Sequence, residues 1–145
     1  MLDSDELFRV GATDFTWGDI PLSFESNLVQ PNLDSAFTFL PTADFEKLVP
    51  HLASMSGVTC GSGLCYYSSD CMSINTERSF GFRAFSGNNS IPVELSMNAN
   101  LISGEVAGQD SKSCYLPFAP YSGEAVMVGN KLMKEYLTVY DLENH

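Results

Sequence analysis

The sequence predicts a mainly β protein with one or two short helices, and three observations carry that prediction. Apolar residues recur in short runs of strand character, turn residues (Gly, Asn, Asp, Ser) separate the runs, and only one longer stretch repeats its apolar residues at helical spacing. With 145 residues, 44% of them hydrophobic and 17% charged, the chain can bury a sizeable core and is expected to form one domain over residues 1–145.

The elements follow in order. Phe8, Val10 and Ala12 alternate, Phe15 and Trp17 continue the run, and Gly18-Asp19 turns the chain into Ile20-Pro21-Leu22, a hairpin signal. Leu28-Val29 and Leu33 make a strand that leads to Asp34-Ser35-Ala36, and Phe37-Thr38-Phe39-Leu40 leaves as a second apolar strand. A carboxylate held between two such strands is unusual, because burying it costs free energy unless it is hydrogen-bonded. Phe45, Leu48, Val49 and Leu52 then fall on one helical face, with Thr42 placed to cap the helix. Pro50 lacks the N–H that continues the ladder and predicts a kink or break. Phe80-Phe82-Ala84 and Ile91-Val93-Leu95, either side of Ser86-Gly87-Asn88-Asn89, predict a second hairpin. Cys114-Tyr115-Leu116-Pro117-Phe118 reads as one strand, and Ala125-Val126-Met127-Val128 as another that ends at Gly129. An amphipathic stretch from Lys131 to Glu135 leads into Tyr136-Leu137-Thr138-Val139-Tyr140, β-branched and aromatic as strands are.

Composition narrows the function classes. Eighteen acidic against 7 basic residues give a formal net charge of −11, a field that repels phosphate backbones, so no nucleic-acid partner is expected. The sequence pI near 4.3 means that most of this charge titrates away in acid, which permits work at low pH. No run of ~18 apolar residues predicts a membrane span. The acidic start, Met1 to Glu6, does not read as a signal peptide, so a secreted parent would carry its signal elsewhere. Cys60, Cys65, Cys71 and Cys114 are even in number, lack Cys-x-x-Cys spacing and are accompanied only by His51 and His145. Two disulfides formed in an oxidising compartment are therefore expected rather than zinc; no metal or cofactor is predicted, and the residues alone leave three pairings open. Asn88-Asn89-Ser90 is a glycosylation sequence set in a turn.

Two segments resemble a known family. Leu33-Asp34-Ser35-Ala36-Phe37-Thr38-Phe39-Leu40 is similar to the active-site strand-loop-strand of pepsin-like aspartic proteases, hydrophobic-Asp-Ser/Thr-Gly-Ser/Thr. Val126-Met127-Val128-Gly129-Asn130 and then Tyr136 to Asp141 resemble the hydrophobic-hydrophobic-Gly-Asp signature and the late Tyr-Thr-Val-Phe-Asp strand of the same family's C-terminal lobe. Phe8-Arg9-Val10 to Ile20 resembles the strand pair that precedes that lobe's aspartate. The resemblance covers nearly the whole chain and implies one lobe of the pepsin-like fold, closed and orthogonally packed antiparallel sheets with one or two short helices. It implies that Cys71 pairs with Cys114, which leaves Cys60 with Cys65. It also implies one more strand after Asn144, so the final strand is expected to be missing from this chain.

What the resemblance implies for function is half of an aspartic endopeptidase that hydrolyses peptide bonds at acid pH. Asp34 is then one of two catalytic carboxylates, and Ser35 the hydroxyl that holds the two active-site loops together. The partner carboxylate comes from an N-terminal lobe in the same precursor or an associated chain. Peptide or protein is the substrate, no cofactor is needed, and the route is secretory, ending in a lysosome or vacuole or outside the cell. Three positions depart from the pattern: Ala36 replaces a glycine, Phe37 a Ser/Thr hydroxyl, and Asn130 an aspartate. Ala36 and Phe37 support an alternative, a catalytically inactive lobe kept as a peptide- or protein-binding module. A retroviral-type homodimer in which two Asp34 residues meet ranks last, because no Tyr-Gly flap hairpin follows Asp34.

Overall fold

The structure, a computed structural model, describes residues 9–32 and 34–130. Strand β1 (Val10–Trp17) turns at Gly18, whose φ is +59°, into β2 (Ile20–Pro21), the expected first hairpin. Strand β3 (Leu28–Asn32) follows, then β4 (Thr38–Pro41), helix α1 (Thr42–Ala53) and the hairpin of β5 (Val58–Gly61) with β6 (Leu64–Tyr67). The second expected hairpin is β7 (Ser79–Ser86) with β8 (Asn89–Ser96). Short strands β9 (Ile102–Ser103) and β10 (Cys114–Tyr115) precede β11 (Phe118–Tyr121) and β12 (Val126–Gly129). The architecture is mainly β, as the sequence predicts. Phe8, Leu33 and the two segments expected over Lys131–Glu135 and Tyr136–Tyr140 lie outside the described residues.

The larger sheet runs β11-β4-β12-β3-β1-β7-β8, with β2 on the side of β1, and the smaller runs β5-β6-β10-β9. The larger sheet is mixed, with β12 parallel to β3 and β11 parallel to β4 and its other pairs antiparallel, while the smaller sheet is antiparallel throughout. Besides β2, β1 serves two further partners, pairing with β3 through Val10 and Gly11 and with β7 from Ala12 onward. It changes direction at a bulge between Thr13 and Thr16, where Asp14 takes φ +56°.

The apolar faces meet in one core. Trp17, Phe80, Phe118, Leu40 and Val126 are sealed from solvent, and Phe80 stands edge-on to Phe118 with ring centroids 5.3 Å apart. Helix α1 contributes Phe45, Leu48 and Leu52, the stripe that the spacing predicts.

Three expectations are corrected. The helix does not break at Pro50 but continues to Ala53. Full burial of Leu48 and Leu52, worth roughly 1.5–3 kcal/mol each, exceeds the ~3 kcal/mol cost of an internal proline. Thr42 does not cap: Pro41 holds the N-cap position with no side-chain cap bond, and the Thr42 hydroxyl donates to the Tyr121 carbonyl at 3.1 Å. Residues 114–118 are not one strand, because Pro117 supplies no N–H and the chain changes sheet there. Cys114–Tyr115 joins the smaller sheet and Phe118–Tyr121 the larger.

Candidate active site

The segment carrying Asp34 is built by three strands. β3 enters the loop, β4 leaves it, and β12 lies between them, parallel to β3 with Gly129 beside Asn32 and antiparallel to β4 with Met127 beside Phe39. The two arms of the strand-loop-strand therefore pair with β12, and the loop of residues 34–37 crosses its end. At the crossing a side chain has no room. A Cβ on Gly129 would lie 2.5 Å from the Phe37 carbonyl oxygen and 2.6 Å from that of Ala36.

Hydrogen bonds fix the crossing. The Gly129 N–H donates to the buried Thr38 Oγ1 at 3.0 Å, and the Asn130 N–H to the Ser35 carbonyl at 2.8 Å. Within the loop, the Phe37 N–H donates to Ser35 Oγ at 3.1 Å and the Asp34 N–H to Asn32 Oδ1 at 3.3 Å. The Thr38 N–H donates to the Pro117 carbonyl at 2.7 Å, which ties the start of β4 to β11. Thr38 is thus fully engaged as scaffold, its amide on one neighbour and its hydroxyl on the other.

Asp34 is exposed at the top of this loop, and Ser35, Ala36 and Phe37 are half-buried beneath it. Among the described residues, no hydrogen-bond donor reaches the Asp34 carboxylate. Ser35 uses its oxygen to accept within its own loop and keeps its proton to donate. Asp14 and Ser62 are the non-glycine residues with positive φ among those described, so the backbone at Ala36 is one that a residue with a Cβ holds without strain. Phe37 supplies a carbonyl to the crossing but no hydroxyl near Asp34. An exposed carboxylate can take a proton from water, and that is the chemistry this loop offers.

Other expected residues lie elsewhere in the fold. Cys60 pairs with Cys65 across adjacent strands β5 and β6, and Cys71 pairs with Cys114, joining a 3-10 turn (Cys71–Ser73) to β10. Closing a loop with a sequence separation of 43 stabilises the fold by about 4 kcal/mol in the chain-entropy account. Asn88 is exposed at the tip of the β7–β8 hairpin. His51 is half-buried in the last turn of α1. A groove of about 520 Å³ opens between the start of α1 and the β11–β12 turn, with Thr42, Asp44 and Glu124 in its wall and none of residues 34–38.

Sequence reasoning missed two features of the scaffold. Asp44 is fully buried on the first turn of α1, where its carboxylate accepts the Glu25 N–H at 2.6 Å and the Ser26 N–H at 3.1 Å. Tyr121 donates its hydroxyl to the Ala125 carbonyl and lies against Gly123, bracing the turn that feeds β12. Burial pushes the Tyr121 phenol above the ordinary tyrosine range, which the bond to Ala125 and the charge of Arg9 partly offset. The signal for Asp44 was present, an acidic residue among apolar neighbours at Phe45 and Leu48, but it also reads as an ordinary helix start.

A β lobe that presents Asp-Ser on a loop, with a glycine-ended strand threaded between the loop's two arms, fits one lobe of an aspartic protease. The family model for eukaryotic aspartyl proteases matches residues 4–145, so the chain belongs to the eukaryotic aspartyl protease family. No curated protein gives a significant sequence match. Family membership carries peptide as the substrate class. Among the described residues no helix is long and apolar enough to cross a membrane.

Proposed function

We propose that this chain is the C-terminal lobe of an aspartic endopeptidase that works at acid pH, with Asp34 as one of two catalytic carboxylates. The observation that carries the reading is the placement of Asp34, exposed on a loop whose backbone is clamped at Gly129 and Asn130. The second carboxylate belongs to an N-terminal lobe in the same precursor or in an associated chain. Two carboxylates about 3 Å apart cannot both ionise, so the pair holds one proton between them. The ionised member takes the proton of a water held between them as that water attacks the scissile carbonyl. The protonated member polarises the carbonyl oxygen and stabilises the charge that develops there. Ser35, which keeps its hydroxyl proton, links this loop to its counterpart. The two disulfides support a route through the secretory pathway, to a lysosome or vacuole or outside the cell.

A second reading has its own observation. Phe37 stands where a hydroxyl would reach the outer carboxylate oxygen, and the carboxylate lacks that support. A lobe that keeps its cleft but not its chemistry would bind peptides without cutting them.

Peptide cleavage at about pH 4 by the protein as its source makes it, with and without a statine-type inhibitor, separates the two readings. Inhibitable cleavage that Asp34→Asn abolishes supports the protease. Peptide binding without cleavage overturns it in favour of the binding module.

A further inference from the structure

We propose that Asn88 accepts an N-linked oligosaccharide, and that the glycan covers the tip of the β7–β8 hairpin. Asn88-Asn89-Ser90 is the one Asn-x-Ser/Thr sequence in the 145 residues. Its position in the fold suits a glycan better than a random match would. Ser86 pairs with Asn89, so Gly87-Asn88 is a two-residue turn at the far end of the hairpin. Gly87 takes φ +61° while Asn88 does not take a positive φ, the pattern of a turn with glycine at its first central position. Gly87, Asn88 and Asn89 are all exposed, and a Cβ on Gly87 would meet nothing within 4 Å. Space for a large substituent is therefore present on this turn.

The hairpin also needs a cover. Along β8 the inward-facing apolar series runs from Leu95, 1% exposed, out to Ile91, 56% exposed. Phe85, on the opposite face of β7, is 39% exposed. The hairpin extends past the core that its base packs against, and its last apolar residues are left in water. A glycan anchored one turn away hydrates that surface and crowds the open edge of β8.

The reaction balances with a polyprenyl diphosphate-linked oligosaccharide as donor. Asn88 Nδ2 forms the bond to the anomeric carbon, the bond from that carbon to the diphosphate oxygen breaks, and the amide loses one proton. In the folded hairpin the Ser90 hydroxyl accepts from Arg83 Nη2 at 2.9 Å and Nε at 3.3 Å. The acceptor sequence is therefore occupied once the strands have paired, and the transfer precedes closure of the hairpin.

The test uses the native protein. Disulfide mapping establishes whether the molecule has passed an oxidising compartment, and trypsin releases Ala84 to Lys112, a peptide that contains Asn88 and no cysteine. A glycan on that peptide, converted to ¹⁸O-labelled aspartate at position 88 by a peptide N-glycosidase, is the expected result. Asn88→Gln and Ser90→Ala each remove it, and Asn89→Gln keeps it because the sequence Asn-x-Ser survives. An unmodified peptide from molecules with both disulfides formed overturns the proposal, as does a modification that persists in Ser90→Ala. Native protein without either disulfide also overturns it, because the acceptor then never meets the donor. A glycosylated protein without peptidase activity leaves this inference standing and removes only the protease reading.

Discussion

Replacing Gly129 by alanine puts a methyl group where two carbonyl oxygens already sit. The added carbon would start 2.5 Å from the Phe37 oxygen, 2.6 Å from the Ala36 oxygen and 2.7 Å from the Phe37 carbonyl carbon. All three are backbone atoms, so no side chain can swing aside. Restoring an ordinary contact of 3.4 Å needs a displacement of about 0.9 Å, either of the loop upward or of β12 downward. Upward movement lengthens the Asn130-to-Ser35 bond, and downward movement breaks the register of β12 between β3 and β4. Overpacking of this kind costs roughly 1–3 kcal/mol, and a weakened Gly129-to-Thr38 bond adds about 1 kcal/mol.

For a chain of this size such a loss lowers the melting temperature by roughly 4–16 °C. Circular dichroism melts of the whole protein, parent against Gly129→Ala, measure it directly. Gly61→Ala is the matched control. Gly61 also lies in a strand and has ordinary φ, but an added Cβ there meets nothing within 4 Å. The control should hold its melting temperature or gain slightly, by about 0.4–1 kcal/mol, through a less flexible unfolded chain. A Gly129→Ala protein that melts with its parent while Gly61→Ala also does so would refute the clamp and with it the fixed position of Asp34.

Three further outcomes follow from the same structure. Asp44→Ala leaves the Glu25 and Ser26 amides without their acceptor and should cost about 3 kcal/mol in urea unfolding, with Asp44→Asn costing roughly half; a change under about 0.5 kcal/mol removes the structural role assigned to this carboxylate. Pro92, opposite Arg83 in a hairpin whose hydrogen-bonded pairs alternate outward from Ser86 and Asn89, turns its nitrogen to the open edge of β8. Pro92→Thr restores a donor there, and sedimentation should detect association at lower protein concentration than for the parent; identical concentration dependence counts against edge protection. Burial raises the Tyr67 and Tyr121 phenols above their unfolded value, against the bonds to Thr76 and Ala125. A raised folded pKa gives stability that is present below the unfolded value of about 10 and is lost as pH rises through the folded one. Melting temperature should therefore fall in that alkaline window, and Tyr121→Phe should shrink the fall; a melting temperature flat across it would contradict the burial argument.

The sequence makes local structure legible and hides the long-range pairing. Both hairpins could be read because two-residue turns and alternating apolar residues lie side by side at Gly18-Asp19 and Gly87-Asn88. The helical stripe of Phe45, Leu48 and Leu52 was legible for the same reason. Nothing local announces that Gly129 lies beside Asn32, since a parallel pair has no turn to mark it. The break at Pro117 is hidden because the run around it is apolar on both sides and the change of sheet depends on distant partners, Cys65 for Leu116 and Thr38 for Pro117. Asp34 itself became legible only through the family resemblance, because Asp-Ser-Ala carries no chemistry by its composition alone. The Asn130 substitution leaves intact one contact made at this position, the backbone N–H on the Ser35 carbonyl, which any residue but proline supplies.

Ala36 and Phe37 touch Gly129 through carbonyl oxygens, which any residue type supplies. The clamp is therefore indifferent to the side chains that depart from the family pattern, and the scaffold around Asp34 persists whether or not the site works. What Phe37 removes is a hydroxyl donor, and losing a bond to a charged group costs ~1.5–3 kcal/mol of support for the ionised carboxylate. Stability and catalysis consequently separate at this site. Gly129→Ala should damage both, because it moves the loop. Asp34→Asn should leave melting within about 0.5 kcal/mol of the parent, because the side chain is exposed and its described bond is made by the backbone N–H. A large stability loss in Asp34→Asn would place the carboxylate among the supports of the fold and argue for the binding module.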